Sequence, residues 1–156
     1  MTTNTTLTDE LHRVAQSGAA LNISLSPEDL IPVLLLVNQD DQFEIYGIEE
    51  PNKDKIPEIV TAQLTDRNAK AYALVLEAWA TAFVDEAAKY DYRVRDMPLD
   101  DKYEVVQIIV VDKNLGYVCG SQSRIDRIDD NTRKLRDWNE GDKVHNAQGS
   151  FVITEW

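Results

Sequence analysis

Two pairs of apolar segments along the chain predict β-hairpins. LIPVLLLV, at 30–37, is apolar on both alternating sets of positions, as expected for a strand covered on both faces. A polar turn at 38–42 separates it from the alternating segment FEIYGI at 43–48. The second hairpin is predicted from YEVVQIIVVD at 103–112 and GYVCGSQSRID at 116–126. Because 103–112 is also apolar on both sets of positions, it is expected to be a central strand.

The most apolar long segment, AYALVLEAWATAF at 71–83, fits two periodicities. Its apolar residues recur at three and four positions and its alanines favour a helix. Alternation fits equally well, and would place Val75 and Glu77 on one face of a strand. The predicted central strand 103–112 needs a second neighbour, so we predict that 71–80 is a strand.

Helical spacing occurs in two shorter segments. Thr6 is predicted to cap a first helix that ends near Gly18. A second helix is predicted from 56, with Pro57 in its first turn and Asn68 as its stop.

The rest of the chain is more weakly patterned. Residues 84–102 are expected to be a long polar connection with one helical turn near 85–89. A strand is expected around 133–138, followed by a turn at 139–141 and a final strand at 150–156. Residues 1–5 are expected to be a disordered leader.

These elements predict a single α+β domain spanning residues 6–156. Its mostly antiparallel sheet would contain about six or seven strands, with two or three short helices packed on one face. A chain of 156 residues has the size of one such domain. Several strands are apolar on both faces, so the face without helices would need a cover, and we expect a homodimer.

Charge and composition narrow the possible partners. The chain has 28 acidic and 16 basic side chains, a formal net charge of −12. A field of this sign disfavours nucleic acids and anionic membranes as partners. No apolar stretch reaches the roughly 18 residues of a membrane span, and no signal-peptide pattern occurs at the N-terminus. We therefore expect a cytoplasmic protein.

Motifs for metals, cofactors and nucleophiles are not found in the sequence. His12 and His145 are not at ligand spacing, and there is no CxxC, HExxH or glycine-rich phosphate loop. We expect neither a metal nor a cofactor. Cys119, the single cysteine, cannot form an intramolecular disulfide and is expected to be a buried structural thiol.

Carboxylates are the remaining candidates for chemistry. If 71–80 pairs with 103–112, Glu77 and Glu104 could converge, with Arg95 or Arg124 beside them. Two carboxyl groups with separated pKa values are the minimum for acid–base catalysis, so Glu77, Glu104 and Arg124 are the catalytic candidates. The alternative is a carboxylate at the sheet rim that is paired with an arginine.

Two motifs carry a resemblance to other proteins. EAW at 77–79 and PLDDKYEVV at 98–106 resemble segments of small uncharacterised bacterial and phage-associated proteins. In those proteins an Ala-rich segment ends in Glu-Ala-Trp and is followed by a Pro…Arg…Glu-hydrophobic strand. Lys102 stands where that pattern has arginine. The resemblance covers about 30–126, implies a strand at 71–79 and implies no activity.

Three hypotheses for function follow. The first is a non-enzymatic protein-interaction domain that forms a homodimer. The second is a small carboxylate-dependent enzyme, with or without a metal ion, that uses Glu77 and Glu104. The third is an acidic protein that mimics DNA or acts as a phage-type inhibitor.

Overall fold

The computed structural model describes residues 7–26, 30–80, 102–114, 116–141, 144–145 and 152–156. Its helices are α1 (Leu7–Leu25) and α2 (Ile56–Asp66), the second preceded by a 3-10 turn at Lys53–Lys55. The main strands are β1 (Val33–Asn38), β2 (Phe43–Gly47), β3 (Ala69–Ala80), β4 (Tyr103–Asp112), β5 (Tyr117–Asp129) and β6 (Thr132–Leu135). Two short strands, β7 (Asn139–Glu140) and β8 (Val144–His145), each pair with β5.

The main strands form an antiparallel sheet in the order β2-β1-β3-β4-β5-β6. Both predicted hairpins are confirmed, as β1–β2 and β4–β5. The predicted strand at 71–80 is also confirmed, because β3 lies between β1 and β4. Its alanines leave room for close packing: Ala73 lies opposite both Leu35 on β1 and Val110 on β4.

Each face of the sheet has its own hydrophobic core. On the first, which we call the α1 face, the buried residues of α1 pack against alternate residues of the strands. These are Leu11, Ala15, Ala19, Ile23, Leu35, Val37, Ala71, Ala73, Val75, Val106, Ile108, Val110, Cys119 and Ile125. On the other, the α2 face, Ile56, Val60 and Leu64 of α2 cover the strands together with Val152, Ile153 and Trp156.

The expected fold class, a single α+β domain with a mostly antiparallel sheet, is confirmed. The helices are placed differently from the expectation, because they lie on opposite faces rather than on one. The physical reason is that β1, β3 and β4 are apolar on both faces, and each face needs a cover. The chain itself supplies both covers, so an uncovered second face is no longer a reason to expect a dimer.

The observed helix ends agree only in part with those predicted from the sequence. Gly18 does not end α1, which continues to Leu25 because Ala19 and Ile23 extend its buried stripe. The second helix agrees with the prediction: it starts at Ile56 and ends at Asp66. Asn68 follows with a φ of 53°, the left-handed conformation that asparagine tolerates after a helix.

The C-terminal residues 152–156 are not the expected strand but an irregular segment on the α2 face. Tyr72 holds this segment, since its hydroxyl donates to the Ile153 carbonyl at 2.8 Å and accepts from the Ile153 N–H at 2.9 Å. The Trp156 indole N–H donates to the Ala69 carbonyl at 2.8 Å. Burial raises the pKa of Tyr72 well above its usual value, so this hydroxyl remains protonated.

The strand expected around 133–138 is β6 and ends at Leu135, and the expected turn at 139–141 contains the short strand β7. The leader at 1–5 and nearly all of the connection at 84–102 lie outside the described residues.

Tyr72→Phe tests how the C-terminal segment is held. The substitution leaves the N–H and carbonyl groups of Ile153 without their hydroxyl partner, so we expect a loss of about 1–3 kcal/mol in the free energy of unfolding, measured with urea. Tyr46→Phe is the control, because the Tyr46 hydroxyl donates to the carboxylate of Glu44 on the same strand rather than to the C-terminal segment, and its loss should be clearly smaller. Equal losses in the two variants would contradict this role of Tyr72.

Candidate functional site

Glu77 and Glu104 lie on the same face of the sheet, which the register of β3 against β4 determines. In the β3–β4 register Glu77 is opposite Val106 and Trp79 is opposite Glu104. The two carboxylates are therefore diagonal neighbours on the α1 face. Both line a cleft of about 200 Å³, together with residues that include Lys53 and Trp79.

Each carboxylate is paired with its own arginine. Arg133 Nη1 lies 2.7 Å from Glu77 Oε1 and 4.0 Å from Glu104 Oε2. Arg127 binds Glu104 through two bonds, Nε to Oε1 at 2.9 Å and Nη2 to Oε2 at 3.1 Å. The two arginines are opposite each other on β5 and β6, so they share this face. We call these four residues the ionic quartet; its formal charge is zero.

The quartet ties the end of α1 to the sheet. The Arg133 side chain is only 1% exposed, and its Nε donates to the Ser26 carbonyl at 3.2 Å, just beyond the end of the helix. A cation beside the C-terminal end of a helix is favoured by the helix dipole. Glu77, with its side chain 12% exposed, also accepts from the Leu30 N–H at 2.8 Å.

Arg124, the third predicted candidate, does not join Glu77 and Glu104. It is opposite Val105, which places it on the α2 face, and its guanidinium lies 4.5 Å from the centre of the Tyr103 ring. Arg95 lies outside the described residues. Sequence reasoning missed Arg127 and Arg133, although Arg127 follows the alternation of β5 onto the α1 face.

This geometry favours a structural role over acid–base chemistry. A catalytic carboxyl pair needs one protonated and one ionised member. Here each carboxylate is instead engaged in an ion pair with an arginine. Within the described residues, no group of three or more His, Cys, Asp or Glu side chains is arranged to hold a metal ion. The catalytic roles of Glu77, Glu104 and Arg124 remain predictions.

A second polar cluster joins α1 to β5. His12 Nε2 lies 2.6 Å from Ser121 Oγ, while Gln16 Nε2 donates to Ser121 Oγ at 3.2 Å and to Glu140 Oε1 at 2.8 Å. A serine beside a histidine can be a nucleophile. Ser121, however, is buried in the middle of a strand, and its hydroxyl already bonds two side chains of α1. The cluster therefore satisfies polar groups beneath the helix.

The environment of His12 changes its titration. Burial lowers the pKa of the imidazole, and the nearby carboxylates of Glu140 and Asp9 oppose this effect only in part.

Cys119, on the same face, is buried as expected for a structural thiol.

An apolar surface lies along α1 and the edge strand β2. Six of the seven large hydrophobic side chains that are exposed among the described residues lie on it, and we call it the α1–β2 surface. They are Val14, Leu21, Leu25, Ile31, Phe43 and Ile45, between 36% and 72% exposed, while the seventh is Ile128 on β5. Ile45 is opposite Leu35, whose side chain belongs to the α1-face core, so β2 directs Ile45 and Phe43 towards the helix side.

Two depressions make this surface continuous. One, of about 140 Å³, is lined by Val14 and Gly18 of α1, by Leu35 and by Ile45. The other, of about 370 Å³, is lined by residues that include Leu25 and Ile31. Leu30 and Val33 line both depressions, which therefore connect the exposed side chains of Val14, Leu25, Ile31 and Ile45. Arg133 of the quartet also lines the second depression.

The described part of the chain therefore defines an α+β domain with a sheet covered on both faces, an internal ionic quartet and an external apolar surface. No protein-family model matches the sequence, and comparison with curated proteins and with solved structures finds no significant match. None of the described helices has the length and apolar character needed to cross a lipid bilayer.

Arg133→Met tests the structural role of the quartet. It leaves Glu77 charged and largely buried without its guanidinium, so we expect a loss of about 3–5 kcal/mol in the free energy of unfolding. Arg136→Met is the matched control, because Arg136 forms an exposed pair with Asp126, and its loss should be much smaller than that of Arg133→Met. Adding Glu77→Gln to Arg133→Met should restore part of the stability, and a further loss would contradict the pairing.

The burial of His12 predicts a pH dependence of stability. Its folded-state pKa lies below the ordinary value of 6.5, so below that pH the unfolded chain binds more protons than the folded one. The contribution of His12 is complete above pH 6.5 and decreases as the pH falls towards the folded-state pKa. The difference in unfolding free energy between wild type and His12→Gln should therefore shrink from pH 7 to pH 5. Urea titrations that give a constant difference would contradict the burial of a neutral imidazole.

Proposed function

We propose that the protein is a non-enzymatic interaction domain that forms a homodimer through the α1–β2 surface. The continuous apolar surface is the observation that supports this proposal. Large side chains with these exposed fractions present on the order of 500–600 Å². A standard interface buries roughly 800 Å² on each partner, of which a little over half is non-polar. The exposed apolar area therefore matches what one side of a dimer needs.

A second copy is the partner that the charge distribution favours. The large side chains of the α1–β2 surface are uncharged, while the chain as a whole carries a formal charge of −12. Two copies would repel each other wherever acidic surfaces meet, and would attract where the uncharged surfaces meet. A two-fold axis brings the same surface of both copies together.

A carboxylate-dependent enzyme is the second candidate function. The position of Glu77 and Glu104 in one cleft, beside Trp79, favours it. The arginine bound to each carboxylate opposes it, and for this reason the interaction domain is preferred.

Ile45→Asp tests the proposed dimer. A two-fold contact would contain the substitution twice, and each copy would lose the burial of an isoleucine worth about 1.5–3 kcal/mol, so we expect the dissociation constant to rise at least roughly 100-fold. The dissociation constants of the wild type and the variant are measured by sedimentation equilibrium. Ile128→Asp is the matched control, since Ile128 is exposed outside the α1–β2 surface and its substitution should leave the dimer intact. A wild-type protein that stays monomeric at high concentration would overturn the proposal.

A further inference from the structure

The two edges of the main sheet differ in their protection against pairing. Within the described residues β2 pairs only with β1, and its sequence FEIYG contains no lysine, arginine or proline. At the opposite edge, β6 carries Arg133 and Lys134, and the β5–β6 ladder has an irregularity between Arg127 and Asp129. Charged residues and bulges are the usual means by which proteins block an exposed strand edge. The β6 edge has two basic residues and the irregularity, whereas the charged residue of β2 is Glu44, whose side chain lies on the α2 face.

The hairpin bonds show which backbone groups β2 presents outward. Asn38 N–H donates to the Gln42 carbonyl at 3.0 Å, and Ile48 N–H donates to the Pro32 carbonyl at 2.8 Å. Backbone groups of an antiparallel strand alternate between its two sides. The even-numbered residues therefore bond β1, and the odd-numbered residues 43, 45 and 47 direct their N–H and C=O groups away from it.

We propose that two copies of the chain pair antiparallel through β2, with Ile45 of one copy opposite Ile45 of the other. This inference rests on the proposed homodimer and specifies how it is built. In this register Phe43 is opposite Gly47, and the three outward-facing pairs would exchange about six hydrogen bonds. Glu44 is opposite Tyr46, so like charges do not face each other directly across the ladder.

The same register brings the apolar surfaces together. A two-fold axis perpendicular to the sheet leaves Phe43 and Ile45 of both copies on the α1 face, where the two isoleucines meet. The Phe43 ring lies across Gly47 of the other copy, a position with no competing side chain. The exposed apolar residues of the two α1 helices then border one shared apolar trough.

Cross-linking across the opposite face tests the pairing. Glu44→Cys and Tyr46→Cys, each combined with Cys119→Ala, place single thiols on the α2 face. Non-hydrogen-bonded pairs have Cα atoms about 4.5 Å apart, within the range of a disulfide. Mixing the two variants before oxidation should yield a covalent dimer containing one chain of each, while each variant alone should yield little.

The outcomes distinguish this inference from the proposed function. Copies that packed through the α1–β2 surface alone would keep the α2 faces apart. A dimer in sedimentation with no 44–46 cross-link would therefore overturn the strand pairing and leave the homodimer. A monomeric wild-type protein would overturn both.

Gly47→Pro gives an independent test. Proline removes the outward N–H of Gly47 and no bond to β1, and a Cβ at this position meets no atom within 4 Å. We expect the dissociation constant of the dimer to rise at least tenfold, while Gly47→Ala, the matched control, stays close to wild type. Circular dichroism spectra of both variants should show that they are folded. A folded Gly47→Pro variant with wild-type affinity would overturn the pairing.

Discussion

The antiparallel pairing of β3 with β4 is the constraint on which the rest of the structure depends. Its register runs from Ala71 opposite Asp112 to Ala80 opposite Tyr103 and decides which side chains share a face. Because β strands alternate, a slip of one residue would exchange the two cores and separate each from its helix. The same register sets Glu77 and Glu104 on one face, where Arg127 and Arg133 can reach them.

The molecule places charge inside and apolar residues outside on neighbouring parts of the α1 face, since Leu30 lines both the charged cleft and the apolar depressions. Burying Arg133 requires partners that compensate its desolvation, and Glu77 and the Ser26 carbonyl supply them. This network joins the end of α1 to β3 and β6. Next to this network, the segment before β1 and the strand β2 carry apolar residues that the helix does not cover, among them Ile31 and Ile45. Residues of one chain therefore pair the charges of the cleft, whereas the same chain leaves the apolar surface uncovered.

The sequence predicted the features that depend on neighbouring residues or on alternation. Both hairpins, the strand at 71–80 and the shared face of Glu77 and Glu104 follow from these patterns. The side of the sheet that each helix covers was not predictable, because a sheet that is apolar on both faces accepts a helix on either. Arg133 was missed in favour of Arg124 because its position depends on the β5–β6 ladder, whose register contains an irregularity.

The two edges of the sheet differ in their protection against strand pairing. This difference determines whether association between copies would stop at a dimer or continue. Strand pairing at both edges would extend a sheet without limit, which is the route to aggregation. Pairing through β2 about a two-fold axis uses the unprotected edge of each copy and leaves the far edges, which β6, β7 and β8 form beside β5 and where Arg133 and Lys134 lie. The net charge of −12 on each copy opposes further association by other surfaces. A sheet with one open edge and one charged edge is thus suited to a closed dimer and unsuited to a filament.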